Sequence, residues 1–219
     1  MEIQNQLSAA SPAMGAMAWV AVTLLGLGLA ASSGLNTFLP LFMLAGAAKF
    51  HLFGIALSGS FAWLGSGAAL GVLALATIFE IAADKIPVMD HVLDAVGTVA
   101  RPAAGALAAA SVFSGADPTT AAVLGLIVGA PVAFGFHAAK AGTRAASTTT
   151  TFGVANPVLS ILEDAAAFFL TLIALIFPFL VPLLLVALVF AFWRLYQKAR
   201  RHLPFNRKGA PLDGSTPAG

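Results

Sequence analysis

Residues 165–193 read AAAFFLTLIALIFPFLVPLLLVALVFAFW, a run of 29 positions without a single charged side chain. A helix crosses the hydrocarbon layer of a bilayer with about 20 mainly apolar residues. The run therefore reads as one long spanning helix, with Pro178 and Pro182 inside it and Trp193 and Tyr196 marking its exit. The rest of the chain has the same character. Apolar residues make up 59% of its 219 positions and charged residues 9%, and the mean hydropathy is +0.94. A soluble domain carries about 25% charged residues, and this chain has too few to cover a surface facing water. The class that follows is an all-α polytopic integral membrane protein.

Three further stretches meet the same length rule: residues 13–31 with Trp19, residues 61–83 with Trp63, and residues 119–139. The last carries Gly125, Gly129, Pro131 and Gly135, which predict a bent or closely packed helix. Two others are shorter or less regular. Residues 35–48 include Pro40, and residues 96–113 are rich in small side chains that let helix backbones approach and carry Arg101-Pro102. The expectation is four transmembrane helices plus up to two short or re-entrant segments. Residues 1–12 form a short tail without Lys or Arg, so the n-region of a signal peptide is missing. Residues 13–193 form the membrane domain and residues 194–219 a basic, disordered tail.

The formal charge of +2 is unevenly distributed. Residues 194–208 hold six basic residues and no acid, whereas residues 1–193 hold five basic and eight acidic ones. The basic tail reads as the cytoplasmic side by the positive-inside rule and as a partner of lipid headgroups, rather than as a nucleic-acid patch. An odd number of crossings would then put the N-terminus outside. The absence of cysteine excludes disulfides, thiolate catalysis and Cys-based metal sites.

The charges of the body are concentrated. Glu80, Asp84, Lys85, Asp90, His91 and Asp94 fall within 15 residues, and Glu80/Asp84 and Asp90/Asp94 have the four-residue spacing of one helix face. Arg101 follows, then His137, Lys140 and Arg144 at spacings of three and four, then Glu163 and Asp164 at the opening of the last helix, where carboxylates suit the helix dipole. Ionisable groups inside a bilayer cost about 2.5–3.5 kcal/mol each on insertion scales, and they face bundle interiors or water-filled cavities. Glu80, Asp84, Lys85, Asp90, Asp94, Glu163 and Asp164 are therefore candidate ion-binding or transport residues, with Arg101, Lys140 and Arg144 as charge partners. The plainer reading puts residues 84–95 in a solvated loop or on an interfacial helix.

Each half also holds a polar, Gly-containing break before an apolar helix. The first is Ser32-Ser33-Gly34-Leu35-Asn36-Thr37. The second is the Thr148–Thr151 run followed by Phe152-Gly153-Val154-Ala155-Asn156-Pro157, where Asn as cap and Pro as first helical residue form a helix start. Matching breaks in two halves point to an inverted repeat and a transporter-like site, which adds Asn36 and Asn156 to the candidates. The Gly–Asn spacing differs by one residue between them. Asp90-x-x-x-Asp94 alone is a weak basis for a metal-dependent transferase, and no nucleophile triad, phosphate loop or dinucleotide motif is present. No cofactor is expected, the metal is unassigned, and catalysis is the less favoured class.

The blocks Ser33-Gly34-Leu35-Asn36-Thr37-Phe38-Leu39-Pro40-Leu41, residues 79–94, Arg101-Pro102 and residues 156–164 together resemble a bacterial group of multi-pass membrane proteins catalogued only as a domain of unknown function. The resemblance runs from about residue 16 to 193. It implies one domain with an appended tail, and no activity. The function expected from the residues is a small transporter or permeation protein of the bacterial inner membrane for a cationic or neutral solute. Its coupling site would be the intramembrane carboxylates, its partners membrane lipids and the solute, and a homo-oligomer is allowed. The alternative is a membrane scaffold or lipid-perturbing protein whose charges are structural salt bridges.

Overall fold

The computed structural model describes the backbone of residues 2–201 and the side chains of residues 15–198 apart from 87, 88, 90 and 91. Asp90 and His91 are thus placed on a helix, while their side chains lie outside the described residues, as does the tail from residue 202 onward. The described chain is helical throughout, with no strand. In order come α1 (Glu2–Leu35), α2 (Leu39–Lys49), two 3-10 turns (Leu52–Gly54, Gly59–Gly65), α3 (Gly67–Ala83), α4 (Pro87–Val112), α5 (Pro118–Leu124), a π-helical turn (Gly125–Gly129), α6 (Ala130–Thr151), α7 (Asn156–Ile176), a 3-10 turn (Pro178–Leu180) and α8 (Val181–Arg201). Five stretches are long and apolar enough to cross a membrane: Gly15–Leu35, Val92–Val112, Pro118–Thr151, Asn156–Ile176 and Pro178–Lys198. The architecture is the expected polytopic all-α one, and the spans are distributed differently.

The charge-free run of 29 residues is not one helix. Proline disfavours helical backbone in the residue before it and donates no amide hydrogen, so Pro178 ends α7 at Ile176 and leaves Phe177 at φ −133°, ψ 67°. Pro182 then falls at the start of α8, where its missing N–H costs nothing. Unbroken hydropathy carries no information about a hairpin whose turn is itself apolar.

Three other boundaries move. The segment expected to be short at 96–113 is the C-terminal part of a full-length α4 that starts at Pro87 and runs through Pro102. The span expected at 61–83 is bent by 64° at Ser66, whose extended backbone and hydroxyl cap α3 by accepting from the Ala69 amide at 3.1 Å. The Thr148–Thr151 run is helical rather than a break. The Thr149, Thr150 and Thr151 hydroxyls donate back to carbonyls one turn earlier, a bond that lets Thr sit within a helix. The turn that follows has Phe152 and Gly153 in the left-handed region.

Helix α1 is central and packs on α4, α6, α7 and α8. Its approach to α6 needs Gly34, because a Cβ there would meet the Ala133 carbonyl oxygen and the Phe136 Cβ. The crossing of α4 with the π turn needs Gly125 and Gly129, where a Cβ would strike the Ala106 and Gly105 carbonyls. Small residues at these points replace the absent hydrophobic driving force between helices in lipid. By contrast α8 turns most of its apolar surface outward, with Leu183 and Val186 each 68% exposed.

The hairpin is directly testable in this cysteine-free chain. A Phe179→Cys variant should react with a membrane-impermeant maleimide from the side opposite to a Gln197→Cys variant. One continuous helix would bury position 179 at mid-bilayer and leave it unlabelled.

Candidate functional site

The site is built around the gap between α1 and α2. Helix α1 ends at Leu35 and α2 begins at Leu39, so carbonyls at one end and amides at the other lose their intrahelical partners. Backbone polar groups buried in a protein persist only where other groups satisfy them or water reaches them. Here protein satisfies them. The Glu80 carboxylate of α3 accepts from the Thr37 amide at 2.9 and 3.0 Å, from the Thr37 hydroxyl at 2.8 Å and from the Phe38 amide at 3.2 Å. The Leu39 amide donates to Asn36 Oδ1 at 3.0 Å, and Pro40 has no amide hydrogen to satisfy. On the other side Lys140 Nζ of α6 donates to the Leu35 carbonyl at 3.0 Å. An anion thus stands at the start of α2 and a cation at the end of α1, the signs that the two helix dipoles favour.

These two ions belong to a buried network. Lys140 pairs with Asp84 Oδ2 at 2.9 Å and Glu163 Oε2 at 3.3 Å. Arg144, one turn further along α6, reaches the same two oxygens at 3.4 and 2.8 Å. Arg101 of α4 lies 3.5 Å from Glu80 and 3.8 Å from Asp94, and Arg144 lies 3.9 Å from Asp94. Arg101 and Lys140 are fully enclosed. Beside them Lys85 pairs with Asp164 at 3.2 Å, and Asp164 accepts from the Asn36 side-chain amide at 3.0 Å. Four of the five basic residues of positions 1–193 are therefore drawn into one assembly with Glu80, Asp84, Asp94, Glu163 and Asp164. Removing one member of a buried pair strands the other and costs about 3–5 kcal/mol, so the network holds α1, α3, α4, α6 and α7 in register.

The expected face of α6 is confirmed: His137, Lys140 and Arg144 are all buried. His137 is a member that the candidate set lacks. A guanidinium only donates, so Arg101 Nη1 at 2.9 Å fixes His137 Nδ1 as the acceptor. The proton is then on Nε2, which lies 3.3 Å from the Thr98 hydroxyl. Thr37 was the other omission, and its position next to Asn36 was the available signal. Glu163 and Asp164 do not open a helix. They lie two turns inside α7, which starts at Asn156, and so act as ion partners rather than dipole partners. Asn156 does not cap α7 either; its side-chain amide donates to Thr148 Oγ1 at 3.0 Å. The two breaks are thus not equivalent: Asn36 is in the ionic centre and Asn156 is at its edge.

Two spaces adjoin the centre. A cavity of about 350 Å³ is lined by Asp94, Ala141, Arg144, Ala145, Thr148, Thr149 and Asn156. An apolar groove of about 690 Å³ runs between α6 and α8, with Gly135, Phe136, Leu185, Trp193 and Tyr196 on its walls. The groove's lining is almost wholly apolar, with Trp193 and Tyr196 as its polar-tipped residues, and the charged side chains are on the cavity. Among the described residues no three His, Asp, Glu or Cys side chains are grouped to hold a metal ion.

The role of Glu80 separates from ordinary capping by magnitude. Asp117 caps α5 from an exposed position by accepting from the Thr119 and Thr120 amides, and Asp117→Ala should lower the melting temperature only slightly. Glu80→Gln, which takes from Arg101 one of its two carboxylates among the described residues and opposes backbone donors with a donor, should lower the melting temperature in detergent by on the order of 10 °C. Equal small losses from both would remove Glu80 as the anchor of the break.

No curated protein and no solved structure matches the chain. A family model described as a domain of unknown function (DUF4126) matches residues 23–198, a span that includes α2 to α7, every ion pair above, the C-terminal part of α1 and most of α8. The chain belongs to that family.

Proposed function

We propose that the protein is a small transporter or permeation protein of the bacterial inner membrane for a cationic or neutral solute, with its basic C-terminal tail in the cytoplasm. One observation carries this reading. The full-length helix α1 ends at a buried gap before the short apolar helix α2, and that gap joins an ionic centre beside a cavity. Among the described residues that centre holds one more carboxylate than cations. Intramembrane ionisable groups of this kind mark ion and substrate pathways, and interrupted helices are where transporters place their sites. The residues divide by role. Glu80, with four hydrogen bonds from the break, anchors it. Asp84 and Glu163 share two cations, and each has one oxygen buried without a hydrogen-bond partner among the described residues, so these two carboxylates can exchange partners as the helices shift.

A second reading has its own support. Lys140 and Glu80 already fill the helix ends that a transporter leaves for its ligand, which is what a static scaffold needs. Proteoliposome swelling in isosmotic urea, glycerol, potassium and methylammonium salts separates the two. Transport predicts swelling above protein-free vesicles with at least one of them. It also predicts at least a tenfold loss, about 1.4 kcal/mol in barrier terms, when Asp84 and Lys140 exchange identities in a variant that still reconstitutes. A scaffold predicts no wild-type swelling, and that result would overturn the transport reading.

A further inference from the structure

Helices α6 and α8 run side by side without closing on each other. Positions 135, 138, 139 and 142 of α6 are Gly, Ala, Ala and Gly. Rows of small residues let helices come into contact, as Gly34, Gly125 and Gly129 do elsewhere in this fold. Here the row is left open, since a Cβ at Gly135 or at Gly142 would find no neighbouring atom within 4 Å. The space is the apolar groove of about 690 Å³, with Leu185, Val189, Trp193 and Tyr196 of α8 on its other wall. A second apolar hollow of about 500 Å³ lies along α8 and shares Leu185, Val189 and Trp193 with the groove.

Charge gathers at one end of both spaces. The Arg194 guanidinium stands 4.8 Å from the centroid of the Phe190 ring, and Phe190 lines the second hollow. Its stem thereby lies along apolar surface while its charge stays at the end nearer the tail. Arg200 follows Tyr196 by four residues in the same helix, so its backbone register puts it on the groove face, one turn beyond the groove. No acidic residue occurs between positions 194 and 208, which hold six basic ones.

Two apolar hollows that share a ridge and end at cations match a lipid with two acyl chains and an anionic headgroup. A zwitterionic headgroup would bring positive charge to the same end. A second copy in the same membrane orientation would bring its own basic helix end against this one, and like charges repel. We propose that the groove between α6 and α8 and the hollow beside it take the two chains of one anionic phospholipid, with its phosphate at Arg194 and Arg200. The inference stands apart from the transport reading. The row at 135–142 is on the side of α6 away from His137, Lys140 and Arg144, so the lipid would rest against the back of the helix that carries two of the buried cations.

The test is native mass spectrometry of the delipidated full chain after titration in detergent with phosphatidylglycerol or with phosphatidylcholine of the same acyl chains. The wild-type protein should retain one phosphatidylglycerol at saturation, at least tenfold more tightly than phosphatidylcholine. Gly135→Leu and Gly142→Leu fill the groove with a better helix former. Each should weaken retention of both lipids at least tenfold while the circular dichroism stays unchanged. Arg194→Gln combined with Arg200→Gln should abolish the headgroup preference and leave phosphatidylcholine retention as it was. Equal retention of the two lipids by the wild-type protein, or wild-type retention by both leucine variants, would overturn the proposal. So would a lipid-free dimer that Gly142→Leu converts to monomer, since the groove would then belong to a second copy.

Discussion

Everything else in this fold depends on how the gap between α1 and α2 is closed off from solvent. Backbone groups buried away from water cost several kcal/mol each when unsatisfied. The gap at Asn36–Phe38 would be prohibitive without Glu80 beneath the α2 amides and Lys140 on the Leu35 carbonyl. Those two ions are tolerable only because Arg101, Asp84, Glu163 and Arg144 pair with them and with one another. Each helix that supplies one of these residues is thereby fixed relative to the gap. The glycines at 34, 125 and 129 complete the arrangement by letting α1, α4 and α6 come close enough for the pairs to form.

This dependence explains what could and could not be read from the residues. The charges of the body stood out because the chain around them is so apolar, and the spacing of His137, Lys140 and Arg144 placed them on one face before any partner was known. That Lys140 meets Asp84 and Glu163, and that Asn36 meets Asp164, is tertiary geometry that no local pattern contains. The hairpin at Phe177 was hidden for a different reason: its turn is as apolar as the spans it joins, so only the backbone restrictions of Pro178 mark it. The Thr148–Thr151 run misled because a hydroxyl can satisfy itself within a helix, and composition does not distinguish a polar turn from a polar helix face.

The network also bears on how the protein could move. Buried pairs with alternative partners are candidates for discrete rearrangement, since a carboxylate can pass from one cation to another without ever being left alone. Lys140 and Arg144 share the same two oxygens, one on Asp84 and one on Glu163. A shift of α6 by a fraction of a turn would therefore exchange contacts rather than break them. Glu80 has no such freedom, because four of its contacts are to the backbone and hydroxyl of one short segment. The geometry thus combines a fixed anchor at the gap with an adaptable set of pairs beside it.

The central claim is that the gap is sealed by ions and not by water, and hydrogen–deuterium exchange of the segment 34–42 tests it most directly. The Thr37, Phe38 and Leu39 amides have no intrahelical carbonyl partner, yet in the wild-type protein they should exchange as slowly as the adjacent interior of α1. Glu80→Gln should accelerate that segment selectively. Fast exchange of these amides in the wild-type protein would show an open, hydrated loop and would contradict the account.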